Sequence, residues 1–153
     1  MSNRPKIVVL GMMSVHPVGG VIWQTLHYLV GFRRLGYDAY YVEASGHQPS
    51  YLLGDDDGGS RSSRAAAFID ETMRRFDLAG RWAFHALADD GRCYGLSQGE
   101  LRRLYRDAEL VINLHGGTVP RPEHYETDRL VYLETDPVAI QLEVHRNDRE
   151  AVE

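Results

Sequence analysis

The chain predicts an α/β fold of the Rossmann-like kind: a three-layer α/β/α sandwich with a parallel sheet, built from 153 residues. Three observations carry this. KIVVL at residues 6–10 and ELVINL at 109–114 are short apolar runs rich in β-branched residues, which suit strands buried on both faces. Between such runs, apolar residues recur at helical spacing. Strand and helix alternate along the chain, which requires βαβ units with right-handed crossovers.

Each element has its own signal. After the first strand comes a loop from Gly11 to Gly20, then a helix from Val21 with Ile22, Leu26, Leu29 and Val30 on its inner face. Leu35 closes that helix, and Gly36 stands where a left-handed C-terminal residue is wanted. YDAYYVE, residues 37–43, is a second strand. Residues 45–62 are polar and turn-forming, with an acidic triplet at 55–57, and are expected to be a mobile loop. A helix follows from about Ser63, with Ala66, Ile69, Met73 and Phe76 on one face, and a third strand is predicted over 81–87. DDGRCYG reads as a loop. Ser97 and Glu100 form a capping box that starts the next helix. RLVYLET, residues 129–135, is a further strand, after which Pro137 occupies the first position of a last helix.

Composition narrows the function. Hydrophobic residues make up 43% and charged residues 25%, with a net charge of −5. That balance suits a globular domain with no general attraction to nucleic acid. No apolar run approaches the ~20 residues that cross a bilayer, and the N-terminus does not read as a signal peptide. The single cysteine, Cys93, excludes an internal disulfide and a zinc site of the CxxC type. A cytoplasmic domain without a metal is the expectation.

In an open α/β sheet, ligands bind outside the carboxyl ends of the strands. Three stretches fall there: HPVGGV after the first strand, HGGT at 115–118, and ETDP at 134–137. Gly19 and Gly20 are candidates for close approach of a diphosphate or sugar to a helix N-terminus; a tight turn needing positive φ is the simpler alternative. His16 is a candidate general base, with an imidazole suited to proton transfer at neutral pH. His115, Gly116, Gly117 and Thr118 are candidate substrate contacts. Glu134, a carboxylate at the end of a buried strand, must be paired or face a cleft. His85 reads as a strand residue packing its ring, and Cys93 as a thiol with no activating neighbour.

With Pro17, Gly19, Gly20, the helix to Leu35, Gly36-Tyr37 and AYYV in hand, the chain resembles the N-terminal, acceptor-side domain of GT-B-fold glycosyltransferases that use nucleotide sugars. LVINLHGG and LVYLETDP are consistent with it in order, and YLETDP is similar to the D-T-D-P stretch of some bacterial glycosyltransferase-like proteins, with Glu134 in place of an aspartate. The resemblance implies transfer of a hexose-type sugar from a nucleotide-sugar co-substrate to a small-molecule or glycan acceptor, with no metal and no other cofactor. It implies that residues 1–153 are one Rossmann-like domain, the N-terminal half of a two-domain protein that is inactive without its C-terminal domain. It places Gly19 and Gly20 against the donor diphosphate, as in retaining enzymes, and His16 as the base, as in inverting ones.

Two other functions fit the same residues. The chain also reads as a standalone small-ligand-binding or interaction module of Rossmann-like fold, or as a nucleotide-cofactor oxidoreductase domain in which Glu43 binds a ribose hydroxyl. The loop after the first strand lacks the G-x-G-x-x-G spacing that the last would need. A half-enzyme should also expose an apolar, domain-facing surface and tend to form a homodimer, whereas a finished module should not.

Overall fold

The computed structural model describes residues 4–54 and 59–146; the acidic triplet at 55–57 lies outside them. The elements are β1 (Lys6–Leu10), α1 (Gly19–Arg34), β2 (Asp38–Glu43), α2 (Arg61–Arg75), β3 (Trp82–His85), β4 (Cys93–Gly95), α3 (Gln98–Asp107), β5 (Ala108–Leu114), β6 (Leu130–Leu133) and α4 (Pro137–His145). Short 3-10 turns occupy Tyr51–Leu53 and Pro122–Tyr125.

The sheet has the order β4-β3-β2-β1-β5-β6. All pairs are parallel except β3 with β4. The chain builds outward from β1 through β4, then returns to lay β5 on the other side of β1. The loops after β1 and β5 therefore diverge at the switch point, where a crevice opens.

Side chains of successive strand residues alternate between the two faces. Ile7 and Val9, Ala39 and Tyr41, and Ile112 and Leu114 join Leu26, Leu29, Ile69 and Met73 in the core under α1 and α2. Val8 and Leu10, Val42, and Val111 join Leu101, Leu104 and Tyr105 in the core under α3. Burying each leucine contributes about 2 kcal/mol.

The helix ends follow local chemistry. Gly36 has φ +94°. Its N–H donates to the Arg33 carbonyl, the Tyr37 N–H donates to the Phe32 carbonyl, and the Phe32 and Tyr37 rings meet edge-on. This is a complete Schellman ending with its hydrophobic contact. The Ser97–Glu100 capping box is present in both directions.

The third strand spans Trp82–His85 and the last Leu130–Leu133, each shorter than expected, and three further boundaries differ. Gly19 and Gly20 belong to the first turn of α1, not to the loop before it. The helix predicted from about Ser63 begins at Arg61, because the Ser60 hydroxyl accepts from the Ser63 N–H as its cap. DDGRCYG is only partly a loop: Cys93–Gly95 forms the antiparallel edge strand β4. The short connection after β3 permits a hairpin and is too short for a parallel crossover.

Candidate functional site

The loop after β1 is set from beneath by a buried network. Glu43, the last residue of β2, is 0% exposed. Its carboxylate accepts from the Ser14 N–H at 3.0 Å, the Ser14 hydroxyl at 2.5 Å and the Tyr41 hydroxyl at 2.6 Å. The Tyr41 hydroxyl in turn accepts from the Met13 N–H at 2.9 Å. Burial pushes the carboxyl pKa up, against the lowering effect of these hydrogen bonds. The carboxylate is turned inward and is not presented to a ribose.

Above this floor, the His16 N–H donates to the Met12 carbonyl, and the Val18 N–H donates to the His16 carbonyl. These turns leave His16 exposed and bring the chain to the start of α1. No side chain caps that helix. Neither Gly19 nor Gly20 takes a positive φ, and a Cβ built on either meets nothing within 4 Å. Backbone conformation and internal packing therefore give no reason for glycine at either position.

The helix start borders a cleft of about 490 Å³. Val15, His16 and Val18 form one wall, and Ser50, Tyr51 and Arg61 the other. The far wall is tied down: the Ser50 N–H donates to the Ser14 carbonyl, and Arg61 donates to Gln48 at 2.8 Å. Arg61 brings a cation to the cleft. Sequence reasoning missed it because the residue lies at the end of a polar loop with no motif around it.

The second predicted stretch also lies at the strand ends. His115 sits in the left-handed region, φ +64°. Its Nδ1 lies 2.6 Å from the Thr135 hydroxyl, and its Nε2 is buried with no partner among the described residues. Burial lowers its pKa; Glu134 opposes this and His16 adds to it. The two histidines stand in the loops that leave the ends of the adjacent strands β1 and β5.

The rest of that stretch has structural work. Gly116, also at φ +64°, leaves no room for a Cβ beside the Tyr132 ring, and a Cβ at Gly117 would displace only the flexible end of the Met12 side chain. Thr118 is buried, and its backbone is clamped by Asn113, whose Nδ2 donates to the Thr118 carbonyl at 2.7 Å. The Thr118 hydroxyl is buried without a partner among the described residues. Glu134 accepts from the N–H groups of Thr135 and Asp136 at 2.8 Å each and from the Tyr132 hydroxyl. Tyr132 foremost holds its pKa below the ordinary carboxyl value. Its carboxylate organises the turn into α4.

Among the described residues no cluster of histidine, cysteine and carboxylate groups is arranged to hold a metal ion. Among the described residues no helix is long and apolar enough to cross a membrane. No protein family model matches the chain, and neither a characterised protein nor a solved structure is significantly similar to it.

Proposed function

We propose that the chain is the acceptor-side domain of a glycosyltransferase, which moves a sugar from a nucleotide sugar to an acceptor hydroxyl together with a C-terminal domain. One observation carries the reading: two open glycines begin an uncapped helix whose start borders a cleft lined by His16 and a cation, Arg61. Free N–H groups and the positive end of a helix attract an anionic oxygen, and glycine lets it come close. A diphosphate leaving group meets these requirements. On this reading Gly19, Gly20 and Arg61 receive the diphosphate. His16 stands exposed at the cleft wall, where it can accept the proton of an acceptor hydroxyl. His115 offers its ring to a substrate hydroxyl, oriented by Thr135. Glu134 holds the turn into α4 that carries Thr135.

The uncovered apolar residues of the last two elements support a missing partner. Val131 and Tyr132 of β6 and Val138, Leu142 and Val144 of α4 are all more than 40% exposed. A domain complete in itself rarely leaves the end of its sheet in this state. The oxidoreductase alternative gains nothing from Glu43, which is turned inward.

Titration of the labelled chain with UDP-glucose and GDP-mannose, followed by amide shifts, tests the reading. Half a site should bind weakly, with a Kd of about 1 mM or higher. Shifts are expected at His16, Gly19, Gly20 and His115, and should be lost in Gly20→Val. If neither nucleotide sugar moves these amides, the diphosphate role of the glycine pair is wrong.

A further inference from the structure

The cleft beside the start of α1 is apolar over most of its lining. Val15, Pro17 and Val18 stand on one wall, and Pro49, Tyr51 and Leu52 on the other. Three of these are large and open to solvent: Val18 is 49% exposed, Tyr51 73% and Leu52 62%. Single exposed apolar residues are ordinary, but here three converge on one cleft. Its volume of about 490 Å³ suits a small molecule. Such sites are lined mainly by apolar side chains, with a few polar groups that fix orientation.

The Tyr51–Leu53 turn is built to hold two of these side chains outward. The Ser50 hydroxyl caps it by accepting from the Leu52 N–H at 3.2 Å. The Leu53 N–H donates to the Ser50 carbonyl, and the Gly54 N–H to the Tyr51 carbonyl. Gly54, at φ +88°, ends the turn. Leu53 packs against the core under α1 and α2. Tyr51 and Leu52 are left at the cleft, where the packing of the chain gives no reason for either.

The polar groups around them are largely engaged within the chain. The Ser50 N–H donates to the Ser14 carbonyl, and the Gln48 side-chain oxygen accepts from Arg61 at 2.8 Å. On the facing wall, the His16 N–H and carbonyl are both used in backbone turns. Pro17 and Pro49 have no N–H to offer. The His16 ring remains, exposed, with the outer donors of Arg61 and Gln48. A polyol placed here would exchange many water contacts for few partners, and a hydroxyl buried without a hydrogen bond is unfavourable. An apolar ring gains on leaving water and covers the three open side chains.

We propose that the ligand of this cleft is a hydroxylated aromatic or alicyclic compound, not a glycan. Its rings lie against Val18, Tyr51 and Leu52, and its hydroxyl reaches the His16 imidazole. An aromatic body gains further from ring contact with Tyr51. In the glycosyltransferase reading this compound is the acceptor, and the inference rests on that reading for the acceptor role alone. Arg61 remains for the anionic diphosphate.

The test is an amide-shift titration of the full chain with 2-naphthol, a two-ring body with one hydroxyl, and with maltose, a two-ring polyol, alongside UDP-glucose. Saturable shifts within residues 15–18 and 48–52 are expected from 2-naphthol, with a Kd of about 1 mM or below, and none from maltose up to about 50 mM. Tyr51→Ser with Leu52→Ser should weaken 2-naphthol binding about tenfold or more without lowering Tm, since both side chains are solvated in the unliganded chain. Leu35→Ser, equally exposed but at the other end of α1, should leave binding unchanged. His16→Ala should weaken it about fivefold. The proposal is overturned if neither probe gives saturable shifts there, if the double variant or His16→Ala binds as the wild type does, or if Leu35→Ser weakens binding as much as the double variant. The transfer reading fails separately. Shifts from 2-naphthol with none at Gly19 and Gly20 from UDP-glucose would keep the ligand class and remove the transfer. UDP-glucose shifts with maltose binding in place of 2-naphthol would keep the transfer and overturn the ligand class.

Discussion

Glu43 accepts two hydrogen bonds from Ser14, in the loop that carries His16, and a third from Tyr41 on its own strand, and it does so as a fully buried acid. Its pKa is raised above the ordinary value of 4.5, with burial the dominant cause. Between the unfolded and folded values, the native state keeps a proton that the unfolded chain has released. This contribution to stability is complete below the unfolded pKa and is lost as pH rises through the raised value. Glu43→Gln removes the titration and keeps the shape. Its amide oxygen can take the Ser14 N–H and the Tyr41 hydroxyl, while the Ser14 hydroxyl turns to accept from the amide. The Tm of the variant relative to wild type should therefore grow with pH above 4.5 and then level off. Glu43→Ala should lose about 3 kcal/mol, because it orphans buried donors. A constant Tm difference across the range would show that Glu43 does not titrate between the two states. Nothing in the residue's place at the end of an apolar strand distinguishes an inward acid from one offered to a ribose. That choice is made by Tyr41 and Ser14, one of them 29 positions away in sequence.

At the scale of the element, the start of α1 sets stability against binding. Val18 is its N-cap and supplies no side-chain acceptor. Serine or aspartate there should each stabilise the helix by about 1 kcal/mol. They differ in charge. Aspartate places an anion where the proposed diphosphate sits, whereas serine does not. Val18→Asp should abolish the nucleotide-sugar shifts and raise Tm; Val18→Ser should raise Tm and weaken binding far less. Equal binding by both would remove the anion from the helix start. The element itself was legible, since its apolar spacing, Leu35 and Gly36 all act locally. Its first turn was not, because adjacent glycines signal a turn more strongly than a helix. β4 was hidden for a similar reason: three residues with no alternation form a strand only because β3 offers them an edge.

At the scale of the molecule, the layers and the parallel sheet follow from the alternation of elements, which is why they could be read in advance. That the loops carrying His16 and His115 leave adjacent strands follows from strand order, β5 lying beside β1, and strand order is set by crossovers that no local pattern encodes. What the fold leaves uncovered is as informative as what it buries. α4 presents Val138, Leu142 and Val144 to solvent, and the edge strand that precedes it in the chain exposes Val131 and Tyr132. Covering such side chains is worth about 25 cal/mol for each Å² of apolar area removed from water, so the isolated chain should cover them with a second copy. Sedimentation velocity should show reversible, concentration-dependent association. Leu142→Lys with Val138→Glu should suppress it while leaving Tm unchanged, because both side chains are solvated in the monomer. A wild-type chain that stays monomeric at high concentration would mean that this surface needs no cover, and the half-enzyme reading would lose its structural support.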